Sequence, residues 1–309
     1  LKDFPIAIDG NTLVVGAPTQ SLRDGVPAEY STGSVFVFNR DDDGNWSETG
    51  VIRPDFLEEG DHFGMSVDLQ GDALVIGAPG RDEAFIFERT KDSWVLSDTL
   101  ETTSDESKHH FGISVAIEGD RIAVGSGWDW NREGDGNVHT FTRTPENSGW
   151  AVERVLTADQ PLLGEVVAMN GSMLAVRARA NDPPASEGDY QASGQPGLVV
   201  LFDLKTGELL DSIELQGKSD GDHSLYGHAL DISEHWLLTG APRLQRGNLP
   251  AVGTIQFFKV SDLAEPLIIE YLGPIEDAIY INRGFESEYV DPDALFDLLK
   301  DQRTQDGDE

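Results

Sequence analysis

The chain has no cysteine. Disulfides and thiol chemistry are therefore excluded, while the compartment stays open, because a core of this size needs no covalent staple. No stretch approaches the roughly 18 uncharged apolar residues of a membrane helix, so membrane insertion is not expected. The first residues, LKDFPIAIDG, lack the basic start and apolar run of a secretory leader. Bases are scarce: 22 Lys and Arg stand against 56 Asp and Glu, for a net charge of -34. Nucleic acid is not expected as a partner, since its binding rests on neutralising phosphates. An anionic membrane surface would likewise repel the chain as a whole. The acidity fits strong solubility or saline surroundings, and the excess of Arg over Lys leans towards the latter. Catalytic signatures are missing too: no G-x-S-x-G elbow, P-loop, HExxH or dinucleotide fingerprint. Acid pairs such as Glu58–Glu59 arise by chance among so many carboxylates, and nothing marks out a general acid and base. No enzyme is expected.

What the chain does have is a core and a repeat. Its 309 residues are 39% hydrophobic, enough to fold. FGMSVDLQGDALVIGAP at 63–79 is nearly rewritten as FGISVAIEGDRIAVGSG at 111–127. Three further copies align: FPIAIDGNTLVVGAP at 4–18, LGEVVAMNGSMLAVRA at 163–178 and YGHALDISEHWLLTGAP at 226–242. Gly77 recurs at Gly16, Gly125 and Gly240, with Arg177 in the fourth copy. The spacing, roughly 50–60 residues, belongs to the propeller and array class. Each copy alternates around a tight turn of the DGN, QGD, EGD or NGS kind, and two further β-rich runs follow, such as EAFIFER and WVLSDTL in the second unit. Four antiparallel strands per unit make a propeller blade. The expected fold is all-β, a propeller of about five four-stranded blades. Five copies permit a closed five-bladed arrangement; the tail completing a sixth blade, or other polypeptide completing an arc, are the alternatives.

The Phe-Gly opening and Gly-Ala-Pro close resemble FG-GAP repeats, the blades of integrin α-subunit propellers and their bacterial relatives. The resemblance covers residues 1–272. Copies two and five fit best; copy one has lost Phe-Gly, and copies three and four have lost Ala-Pro. It implies a binding or scaffold propeller, used in adhesion or assembly, in an extracellular, cell-surface or periplasmic setting. Phe63 is expected to plug between blades, and Gly77 and Pro79 to shape the strand exit. His62, His110 and His223 recur just before the opening phrase and read as structural partners of a loop. Trp46, Trp94 and Trp150 recur in register and read as packing at the blade edge.

Integrin-type repeats often hold calcium in an Asp-rich first hairpin. Here those hairpins, 9–11, 70–72, 118–120 and 170–172, are too short to offer the six to eight oxygens that Ca²⁺ takes, so no cofactor is carried over. One later loop, DWNREGDGN, places Asp129, Asn131, Glu133 and Asn137 at alternating oxygen-bearing positions. It is read as a solvated acidic loop rather than an ion site. RDDDGNW at 40–46 is read as a turn.

A partner is expected on the opposite face, where loops 19–32, 127–135, 179–196 and 243–252 differ in length. Trp128 and Trp130 lead the candidates, because two Trp in a polar loop are costly to leave in water. Arg23, Tyr30, Arg179, Tyr190, Arg243 and Arg246 join them. A protein partner or larger assembly is the leading occupant and a glycan the alternative, with a polysaccharide-active enzyme as the context for the glycan. Residues 273–309 form an extension with an acidic end. In it DPDALFDLLKDQ, 291–302, is expected as a short helix capped by Asp291, and 275–290 as a further strand or two.

Overall fold

The computed structural model describes residues 5–19, 31–91, 93–102, 110–127, 136–144, 149–159, 163–179, 197–214, 229–233, 236–241, 254–260, 267–271, 279–283 and 286–290. The fold is an all-β propeller of five antiparallel sheets, each one blade, and no helix occurs among the described residues. Blade one holds β1 (Ile6–Asp9), β2 (Thr12–Gly16), β3 (Val35–Arg40) and β4 (Trp46–Ile52). Blade two holds β5 (Ser66–Gln70), β6 (Ala73–Ala78), β7 (Glu83–Arg89) and β8 (Trp94–Glu101). Blade three holds β9 (Ser114–Glu118), β10 (Arg121–Gly125), β11 (Val138–Arg143) and β12 (Trp150–Leu156). Blade four holds β13 (Val167–Asn170), β14 (Met173–Arg179), β15 (Gly197–Asp203) and β16 (Leu209–Glu214). In each sheet the strands pair in chain order.

Two compact units divide the chain: residues 1–181 with 200–212, and residues 182–199 with 213–309. The second contains one sheet, β17 (Ala229–Ile232), β18 (Trp236–Ala241), β19 (Thr254–Lys259), β20 (Leu267–Tyr271), β21 (Ile279–Arg283) and β22 (Glu286–Val290), again in chain order. This blade has six strands where four were expected. The extra hairpin is the strand pair anticipated in 275–290, where Tyr280 pairs with Tyr289 and Arg283 with Glu286. The helix expected over 291–302 lies outside the described residues.

In the first unit the leading strands β1, β5, β9 and β13 pack in succession. Period-two alternation then sends each blade's side chains to opposite neighbours. From blade two, Leu74, Ile76, Phe85 and Phe87 join blade one's Val14, Val35, Val37 and Ile52. Val75, Ala84 and Ile86 turn the other way, onto blade three's Val115, Ile122 and Val124. Both faces are buried, so the strands read as nearly unbroken apolar runs. A bulge recurs between third and fourth strands, at Val37/Phe38, Ile86/Phe87 and Thr140/Phe141.

The repeated phrase is a joint between blades. Phe63 is fully buried between blades one and two, with its ring centroid 5.7 Å from Phe85 and 6.1 Å from Phe87. Its main chain bridges Gly33 in parallel. A Cβ on Gly77 would overlap the carbonyl oxygen of Gly112, and a Cβ on Gly125 that of Gly164. The second-strand Gly of one blade therefore admits the Phe-Gly main chain of the next. Ser66 and Ser114 lock the joint by donating hydroxyl hydrogen bonds to Gly112 O at 2.8 Å and Gly164 O at 2.7 Å. In blade four Arg177 takes the Gly position. It is buried, with Nη1 2.7 Å from Glu165 Oε2 in its own blade.

Candidate binding surfaces

The antiparallel meander puts first-to-second-strand hairpins at one end of each blade and second-to-third-strand loops at the other. At the hairpin end the turn residues have a structural use. Gly71 donates its main-chain N–H to Asp9 Oδ2 at 2.5 Å, Gly119 to Gln70 Oε1 at 2.5 Å, and Gly171 to Glu118 Oε2 at 2.6 Å. Each residue before a turn Gly thus accepts from the next blade's turn. A cross-blade acceptor there was not visible in the sequence, because its partner lies about one repeat away in the chain.

The loop end begins with the Phe-Gly turns. His62 and His110 have φ of 54° and 60°, a left-handed conformation that His tolerates better than most side chains. Each accepts a hydrogen bond from three residues on: Met65 N donates to His62 O and Ile113 N to His110 O, both at 3.0 Å. Their recurrence is thus accounted for by turn geometry. His223 lies outside the described residues.

Of the sequence-derived binding candidates, Arg23, Tyr30, Trp128, Trp130, Tyr190, Arg243 and Arg246 lie outside the described residues. Arg179 ends β14. The bases of two of the variable loops are described, and both are pinned. Ala17 and Ser34 exchange main-chain hydrogen bonds of 2.8 and 3.2 Å below loop 19–32. Ser126 donates its N–H to Asn137 O at 3.0 Å below loop 127–135, and its hydroxyl to Asn137 Oδ1 at 2.7 Å. Asn137 was one of four oxygen-bearing candidates for a cation. Its side-chain oxygen is bound to Ser126, and Asp129, Asn131 and Glu133 lie outside the described residues. Among the described residues no cluster of three or more His, Asp or Glu is arranged to hold a metal.

Blade two's short loop carries a charged cluster that the sequence reading passed over. Arg81 Nε donates to Glu83 Oε2 at 2.8 Å, and its Nη1 lies 3.4 Å from Asp61 Oδ2. The hydrogen bond donated to Glu83 and the two carboxylate charges raise the Arg81 pKa. The guanidinium also sits 5.8 Å from the Phe56 ring centre. Asp61 further accepts Glu58 N–H at 2.6 Å, so the cluster ties two loops together. The signal was GRDE itself, a loop too short to serve as anything but a turn.

The recurring Trp are accounted for at the blade edge. Trp94 lies under Arg89, with 4.7 Å from guanidinium to ring centre, and Trp150 under Arg143 at 5.0 Å. Each pair is also the last cross-strand pair of its third and fourth strands. RDDDGNW is the turn expected: Gly44 N donates to Asp41 O at 3.0 Å. The Asn45 N–H, donated to Asp41 Oδ1 at 2.8 Å, holds that carboxyl below its ordinary pKa.

Residues 46–88 and 94–141 match a family model described as FG-GAP repeat. The first match runs from β4 to β7 and the second from β8 to β11, so the family's unit straddles the blade joint. No curated protein matches the chain in sequence. Among solved structures, 388 chains match. One is described as Kuenenia stuttgartiensis hydrazine synthase, at 11% identity and a TM-score of 0.54, covering 97% of this chain and 80% of that one. At that identity the likeness speaks for the fold alone, and a fold shared so widely does not select a function.

Proposed function

This chain is a β-propeller carrying FG-GAP repeats, a fold that supports a protein-interaction scaffold, and from that premise we propose that it is a non-enzymatic binding module for adhesion or assembly. The observation that carries the reading is the use of the repeated polar side chains. Asp9, Gln70, Glu118, Ser66 and Ser114 are all spent on bonds between blades. They make a stiff frame from which loops of unequal length project, the arrangement in which recognition is usually lodged. A partner is proposed to contact loops 19–32, 127–135, 179–196 and 243–252 or the segment 273–309, in an extracellular, cell-surface or periplasmic setting. Calcium is not proposed as a cofactor, because the first hairpins are two-residue turns whose acids and amides already accept main-chain N–H groups.

Cross-linking of tagged protein in its native source, followed by mass spectrometry, tests this. A stoichiometric protein partner linked to those loops or to 273–309 is expected. An interface formed chiefly by 9–11, 70–72 and 118–120 would refute the choice of face. A glycan-array signal lost in the double variant Trp128→Ala, Trp130→Ala would replace the protein partner by a carbohydrate.

A further inference from the structure

A groove of about 520 Å³ opens between the outer halves of blades one and two, and no residue of the four variable loops lines it. Its apolar lining includes Val37 and Ile52 from blade one and Phe87 from blade two, all buried members of one core cluster. Val51, Phe56 and Leu96 line it as well and are 45, 40 and 37% exposed, a run of apolar surface on a chain otherwise rich in charge. Gly50 sits on β4 beside the Val37/Phe38 bulge and contributes no side chain. A Cβ there would meet nothing within 4 Å. The groove exists partly because that position is Gly.

Its charge is inverted relative to the rest of the chain. The sixteen lining residues include Arg53, Arg89 and Lys91 and no Asp or Glu. At the chain's average composition, sixteen residues would carry about three acids and one base. Arg89 meets Asp72, at 3.4 Å, outside the groove. Lys91 is exposed and makes no ion pair among the described residues. On a body of net charge -34, a local cationic rim attracts acidic ligands that the remaining surface repels.

We propose that this groove between blades one and two binds an acidic peptide segment in extended conformation. Apolar side chains would enter over Phe87 and Ile52, and alternate carboxylates would meet Lys91 at the rim, where Arg89 adds its charge. An extended chain sends successive side chains to opposite sides, which matches an apolar floor under a cationic rim. A carbohydrate fits less well. Sugars stack on open aromatic faces, whereas Trp94 already has Arg89 over its ring and packs against the core cluster. This proposal rests on the scaffold reading and gives one partner segment its chemistry and its seat.

The test is fluorescence anisotropy with the whole chain and a labelled decapeptide of alternating Asp and Leu. Saturable binding is expected, weakened at least tenfold when Asn replaces every Asp in the peptide. Gly50→Leu fills the groove from a position where an added Cβ meets nothing within 4 Å, and Lys91→Glu reverses the rim charge at an exposed site. Each should weaken binding at least tenfold while leaving the thermal midpoint within a few degrees of wild type. Equal binding of the Asn peptide, or unchanged binding in Gly50→Leu, overturns the proposal. So does displacement of the peptide by tetragalacturonate at lower concentration than by unlabelled peptide, which would give the site to an acidic glycan. If no peptide binds while native cross-links still map to the loop end, the groove assignment fails and the scaffold reading stands.

Discussion

Acidification should destabilise this protein through one side chain, His139. It lies on β11 between Val124 and Val155 of the flanking strands. The residue is fully buried, its ring 5.3 Å from Phe111 and 6.4 Å from Phe141, centre to centre. Neither ring nitrogen has a hydrogen-bond partner among the described residues. Burial without a partner disfavours the imidazolium and lowers the pKa from 6.5 to about 4. The folded protein therefore holds His139 neutral where the unfolded chain would protonate it. Between those two values the unfolded state binds more protons, so stability falls as pH drops. From near pH 7 to near pH 4.5 the loss from this residue alone is about 2.5 kcal/mol. Pairing register places His139 where blade two has Phe85: Val138 pairs with Gly125 as Ala84 pairs with Gly77. His139→Phe therefore installs the residue that the neighbouring blade already uses. Urea unfolding of both proteins at the two pH values isolates the effect, because the many carboxylates titrate alike in each. The variant's stability advantage should grow by about 2–3 kcal/mol on acidification. An advantage that does not change with pH, or an NMR titration of His139 with a midpoint near 6.5, would refute the reasoning.

Two further predictions concern the blade joints. Gly77→Ala sets a methyl group against the Gly112 carbonyl and should cost about 2–3 kcal/mol, read as a lower urea midpoint, whereas Gly50→Ala, with open space at its Cβ, should change stability by less than about 0.5 kcal/mol beyond intrinsic strand preference. Glu165→Met strands the buried Arg177 guanidinium and should cost about 3 kcal/mol, and adding Arg177→Gly, which gives blade four the Met and Gly that blade two has at positions 65 and 77, should recover most of it. A double variant no more stable than the single one would show that the ion pair is not what holds this position.

The fold was legible because the joint is written in short, sterically exacting phrases. Only Gly leaves room at 77 and 125 for the following main chain, and only a large apolar side chain fills the space taken by Phe63 and Phe111. The nearly unbroken apolar runs in ALVIGA and EAFIFER then gave two-faced burial without further information. Arg177 looked in sequence like decay of the repeat. In the structure it is one half of an exchange with Glu165, which stands where blades two and three have Met65 and Ile113. Such a pair cannot be read from either position alone. The groove was equally hidden, because it depends on the bulge that sets Gly50 opposite Val37 and on two strands from different blades. The turn residues Asp9, Gln70 and Glu118 were read only as tolerant of tight turns, and their second role needs a neighbour about one repeat distant in the chain. The leading binding candidates, Trp128 and Trp130 foremost, came from composition and loop length, which propose a place for recognition and carry nothing about what would be recognised.

The hairpin-tip bonds have a consequence for how the chain tolerates genetic change. In each the donor is a main-chain N–H, which among the natural substitutions only proline removes. The acceptor is one side chain, and Asp9, Gln70 and Glu118 show that carboxylate and amide serve equally. A missense change at any one tip therefore severs one link and leaves its neighbours intact. A duplicated blade would arrive already carrying both the donor and the acceptor that its new neighbours require. The tips themselves would then need no redesign if a whole blade were gained or lost.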